Sequence, residues 1–202
     1  EWWLVSWVNM DITLSRRRFL CASASALAVS SEVLLRAQKN EPTKFQLACM
    51  TLPYSQFPLK RALRGIRAAG FDYVAWGTSH QERPGGDRIP VLTTDAPTSR
   101  AKELGQECRD MGLKPLMMFS TVYPEHSDGL EILTHRLRQA AAAGIPQVLT
   151  FGHTKGGNRS IWVERFKKLG PIARDLGVVL AVKQHGGETG TGEACAEIIR
   201  DV

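Results

Sequence analysis

Four times along the chain, an amphipathic stretch ends at a glycine and gives way to a short apolar run: IRAAGFDYVAW, CRDMGLKPLMMF, AAAAGIPQVLTF and ARDLGVVLAV. The glycines are Gly70, Gly112, Gly144 and Gly177. A glycine just past a helix accepts the left-handed conformation that ends it, because it has no Cβ to clash. The unbroken apolar runs suit strands covered on both faces, as in a parallel sheet, better than half-exposed strands that alternate. The pattern predicts a first strand over Phe45–Thr51 and helices over Leu59–Ala69, Ser99–Met111, Gly129–Ala143 and Ile161–Leu176. A last helix begins near Gly192. In the first helix Leu59, Leu63 and Ile66 recur at helical spacing, while Lys60, Arg61, Arg64 and Arg67 occupy other faces.

Successive glycines lie 42, 32 and 33 residues apart, and one βα unit needs about 30 residues. The chain therefore reads as five parallel strands with helical crossovers, which leaves an open doubly wound sheet or a closed barrel. No glycine follows the first strand in CMTLPYSQFP, which argues against a dinucleotide-binding turn. The longest spacing is filled by GTSHQERPGGDRIPVLTTDAPTS. This polar insert reads as a loop after strand 2, where long loops often carry function.

The front of the chain follows another pattern. SRRRFLCASASALAVSS is a basic region followed by an apolar run too short to span a bilayer. Ser15-Arg16-Arg17-Arg18-Phe19-Leu20 closely resembles the twin-arginine export motif, with cleavage expected near Ala37. Residues 1–40 are thus read as an extension plus signal, with translation starting at Met10, and residues 41–202 as the folded domain. The expected location is the periplasm, reached through the twin-arginine export machinery.

Composition adds little. Hydrophobic content of 43% and charged content of 23% are ordinary for a globular protein. The net charge of +6 is partly local to the leader. No basic run or stacking-aromatic pattern marks a nucleic-acid surface. Cys21, Cys49, Cys108 and Cys195 are too scattered for a zinc finger or a disulfide framework.

FDYVAWG, AAGIPQVLTFGHT and above all DLGVVLAVKQHGGETGTG resemble the xylose isomerase-like barrels, over residues 44–202. That superfamily holds sugar phosphate isomerases and epimerases and hydroxypyruvate isomerases. The resemblance implies a (β/α)8 barrel, a fold of about 250 residues. A chain of 202 residues accommodates five strands and their helices. It is expected to be a partial barrel, either a fragment of a longer product or a truncated relative, with open edges compatible with an oligomer.

In such barrels the site lies at the C-terminal ends of the strands. Those ends offer Trp76 and His80 after strand 2, Tyr123, Glu125 and His126 after strand 3, and His153 and Lys155 after strand 4. After strand 5 come Lys183, Gln184, His185 and Glu188. Trp76, His80 and His153 are expected to bind substrate, and Lys183, His185 and Glu188 to do chemistry; His135 falls in a helix. By resemblance the reaction is isomerisation or epimerisation of a hydroxy-carbonyl compound, a carbohydrate or sugar phosphate, assisted by a divalent metal (Mn, Mg, Co or Zn). The family commonly places a metal-binding Glu at the end of strand 5, in a Glu-Asn-His reading. Here that place reads Lys183-Gln184-His185, and no metal ligand is identifiable. The alternative expectation is an inactive relative that binds carbohydrate. The glycines of HGGETGTG read as a tight turn, with Thr191 capping the helix that follows and Glu193 in its first turn.

Overall fold

The computed structural model describes residues 44–202; the stretch expected to be an export signal lies outside them. The fold is an α/β arrangement around a five-stranded, wholly parallel sheet. Its elements run β1 (Ala48–Met50), α1 (Leu59–Ala68), β2 (Tyr73–Trp76), β3 (Ser79–Gln81), β4 (Arg88–Pro90), α2 (Thr98–Asp110) and β5 (Lys114–Phe119). They continue with α3 (Gly129–Ala143), β6 (Gln147–Thr150), α4 (Arg159–Asp175), β7 (Val179–Val182) and α5 (Gly192–Arg200). The sheet order β1-β2-β5-β6-β7 follows the chain once the small β3–β4 pair is set aside. Each crossover therefore joins neighbours, the connectivity of a partial barrel. Among the described residues, no helix is long and apolar enough to cross a membrane.

The helices form where their apolar faces fall together. Leu63 and Ile66 of α1, Leu104 and Cys108 of α2, Leu133 and Leu137 of α3, and Leu169 and Ala173 of α4 share one core with Val74, Met118 and Val148 of the sheet. Gly105 lets α2 lie against α3, since a Cβ there would meet the Ala143 carbonyl. A smaller cluster of Trp162, Phe166 and Ile198 fastens α5 to α4 beside β7. All four glycines of the repeat have positive φ, between 65° and 92°, as the pattern predicted.

Two elements differ from expectation. The first strand keeps only Ala48–Met50 of the expected Phe45–Thr51, and Phe45 and Leu47 stand exposed. β1 is an edge strand with a partner on one side only, so the apolar run overstates its length. The insert after strand 2 is no plain loop. Its first half folds as the antiparallel hairpin β3–β4, with His80 opposite Ile89.

Candidate functional site

The C-terminal ends of β5, β6 and β7 bring one group of side chains together. Phe151, just past β6, makes edge-on contacts with Phe119 and Tyr123, each with ring centroids 5.7 Å apart. The His153 ring lies 4.0 Å from Tyr123, and the His185 ring 4.8 Å from Phe151. Lys183 Nζ sits 5.6 Å from the centre of the same Phe151 ring, within reach of its electron-rich face. Lys183, His153 and His185 are exposed, and Lys183 forms no ion pair among the described residues.

The backbone fixes the orientation of His185. Its Nδ1 lies 2.9 Å from the Gly152 carbonyl, which can only accept, so Nδ1 carries a hydrogen. In the neutral ring, Nε2 is then the lone-pair nitrogen. Close backbone packing supports the turn: a Cβ on Gly187 (φ +49) would collide with the Gly156 carbonyl. The Glu188 amide donates to that carbonyl at 3.2 Å. Thr191 caps α5 by accepting from the Ala194 amide at 3.0 Å, and Glu193 lies in the first turn. Gln184 is occupied with the Gly190 carbonyl at 2.8 Å.

Two carboxylates lie beside the group. Glu125 accepts from Trp162 Nε1. A Cβ on Gly157 would come within 3.0 Å of Glu125 Oε1 and 2.8 Å of Glu188 Cγ, so both glutamates flank one glycine. Arg165 of α4 holds the loop carrying Glu125, donating to the carbonyls of Pro124, His126 and Ser127.

The strand-2 candidates require correction. Trp76 is 1% exposed and packs in the core. His80 is also 1% exposed, with Nδ1 2.8 Å from the Phe57 carbonyl. The hairpin and the turn after β1 cover both, so neither offers a surface to a ligand. The contacts unite His153 and His185 through Phe151 and Tyr123, and leave His80 with Phe57. His126 and Lys155 are exposed, with His126 Nδ1 accepting from the Asp128 amide at 3.4 Å. His135 lies on α3, as the pattern placed it, with Nε2 2.8 Å from the Ala96 carbonyl. Sequence reading missed Phe119 and Phe151. Each closes an apolar run in "MMF" and "LTF", so an aromatic at a strand's C-terminal end was the available signal.

Among the described residues, no three His, Cys, Asp or Glu side chains stand close enough to hold a metal ion. The end of β7 carries the Lys183 ammonium, which repels a divalent cation. The side chains described here do not fit a divalent metal.

No protein-family model and no curated protein matches the chain. Solved structures do. A xylose isomerase-like TIM barrel protein from Mycobacterium smegmatis, in complex with magnesium, superposes with a TM-score of 0.58 at 18% identity, over 78% of this chain and 61% of that one. The IOLI protein, solved with a zinc atom, gives 0.59 at 19% over 77% and 58%. The probable 3-DHS dehydratase AsbF from Bacillus anthracis gives 0.54 at 12% over 78% and 59%. The likeness establishes the fold, a partial TIM barrel. The chain spans about three fifths of the length of these structures.

Proposed function

We propose that this chain provides part of a site for isomerisation or epimerisation of a small hydroxy-carbonyl compound, a carbohydrate or its phosphate. The observation that carries the reading is the convergence of Lys183, His185, His153 and Tyr123 around Phe151, at the strand ends where barrels of this fold hold substrate. Apolar ring faces suit the C–H faces of a sugar, and the polar tips suit its hydroxyls. A hydroxy-carbonyl compound isomerises when a proton leaves the carbon beside the carbonyl and returns to its neighbour. His185 Nε2 has the lone pair to take that proton, and the Lys183 ammonium can donate to the carbonyl oxygen as charge develops there. Glu188, in the turn after His185, is the nearest carboxylate in sequence for a second proton-transfer role. Residues 44–202 supply no ligand set for the metal-assisted form of this reaction.

The test is solvent exchange. Incubated in D2O with dihydroxyacetone or D-fructose, the protein is expected to wash deuterium into the carbon beside the carbonyl. His185→Gln should slow this by roughly a hundredfold or more. Exchange that is undetectable, or indifferent to His185, refutes the reading. A second reading, an inactive carbohydrate-binding relative, is favoured by Lys183 standing in the ligand position. Saturable binding of the same sugars without exchange would select it.

Export belongs to the same proposal. The Arg16-Arg17-Arg18-Phe19-Leu20 motif supports twin-arginine delivery to the periplasm. Fractionation of cells carrying Arg16→Lys, Arg17→Lys and Arg18→Lys together should leave the protein in the cytoplasm; wild-type distribution would contradict it.

A further inference from the structure

Arg136 is a cation buried without a counter-ion. It lies on α3, is 2% exposed, and every hydrogen-bond acceptor it meets is neutral. Nε donates to the Ser120 carbonyl at 3.0 Å. Nη1 donates to Gln139 Oε1 at 2.9 Å and to the Thr93 carbonyl at 3.4 Å. Nη2 donates to the Leu92 carbonyl at 3.0 Å and to Thr121 Oγ1 at 2.6 Å. Burial pulls its pKa down to about 10, with Asp95 opposing. Taking a charge from water is costly, and here five hydrogen bonds to neutral acceptors offset that cost. A guanidinium that donates to three loop carbonyls and to the side chains of Thr121 and Gln139 points to a geometric role.

The loops it grips locate that role. Thr121 has φ +62, unlike every other non-glycine residue described; a β-branched residue there is strained. Its hydroxyl accepts from Arg136 while donating to the Ser120 carbonyl at 2.6 Å. Thr121 thus turns the chain sharply after β5, and two residues later Tyr123 meets His153. Gln139 reinforces the other side, donating to the carbonyls of Thr93 and Ala96 at 3.1 and 2.8 Å. One guanidinium therefore joins the segment after the hairpin to the loop that carries Tyr123 and Glu125.

We propose that Arg136 is a positioning residue: by holding Thr121 in its left-handed turn it sets Tyr123 against His153 and fixes the wall of the mouth. This concerns the shape of the mouth and stands whether or not a sugar binds there.

The test follows the His153 ring by NMR in the full chain, since an aromatic ring 4.0 Å away imposes a shift that is lost when the rings part. Arg136→Lys keeps the charge but cannot span five acceptors. It should move the His153 ring signals toward those of Tyr123→Leu, while core methyls of Leu133 and Leu137 stay in place. Adding Thr121→Gly, which accepts positive φ without strain, should return the His153 signals most of the way. Should Arg136→Lys fail to fold, Thr121→Val, which keeps the shape and removes the hydroxyl, tests the same bond. A lowered melting temperature with His153 signals unchanged would overturn the proposal, as would a double variant no nearer wild type than Arg136→Lys alone.

Discussion

The C-terminal ends of β1 and β2 and those of β6 and β7 carry similar residue types and meet opposite fates. Past β1 and β2 stand Thr51, Trp76 and His80, all within 1% of full burial. Thr51 Oγ1 accepts from the Gly77 amide at 3.0 Å, and His80 is committed to Phe57. Past β6 and β7 stand His153, Lys183 and His185, all exposed. The first set is closed off from solvent, and Trp76 Nε1 and His80 Nε2 are buried there without a hydrogen-bond partner. The second set is open to solvent, and although His185 Nδ1 is held by the Gly152 carbonyl, Lys183 Nζ and His185 Nε2 have no partner among the described residues. Position after a strand is therefore necessary for a role in the mouth but does not confer one. What lies above the strand decides.

The comparison can be broken first by truncation. Trp76→Ala, opening a cavity in the sheet–helix core, should cost about 3–5 kcal/mol in urea unfolding. His153→Ala should change stability by less than about 0.5 kcal/mol. Equal effects would erase the distinction between the two ends.

A pH titration of stability probes the buried side next. Burial pushes the Cys108 thiol up to about 11 from an ordinary value of 9.0. The folded state then holds a proton that the unfolded chain releases. The Cys108 contribution, read as the difference between wild type and Cys108→Ala, should be constant below pH 9 and fall as pH rises through 11, by about 2–3 kcal/mol in full. A thiol reagent should modify Cys108 only on unfolding.

A smaller effect is expected at His80. His80→Leu leaves the Phe57 carbonyl without its donor and should cost about 1–3 kcal/mol by thermal or urea unfolding. Lys183→Met, on the exposed side, should cost less than about 0.5 kcal/mol yet alter sugar binding.

Most of the fold was legible because the signal was local and repeated. The helix bounds of α3 match expectation, and those of α1, α2 and α4 fall within two residues, since amphipathic spacing and a terminal glycine mark both face and end. The hairpin was hidden because Ser79-His80-Gln81 and Arg88-Ile89-Pro90 lack a strand's apolar alternation. Long-range bonds hold it, such as the Gln81 amide to the Ser55 carbonyl at 2.8 Å. Lys183, His185, His153 and Tyr123 could be placed at the mouth because each follows a strand. Trp76 and His80 also stand at or beyond the end of a strand, yet both are buried, and nothing in the local pattern marks that difference. Arg136 left no trace in the pattern: a lone arginine on a helix reads as a solvated charge until its acceptors are known.

The central claim is that ligand contact belongs to the open end and not to the covered one. The most direct measurement is NMR of the folded protein titrated with dihydroxyacetone and D-fructose, following the side-chain signals of both sets. Saturable shifts at His153, His185 and Phe151, with Trp76 and His80 unmoved, are the predicted result. Shifts confined to Trp76 and His80, or no shifts at any accessible concentration, would contradict it.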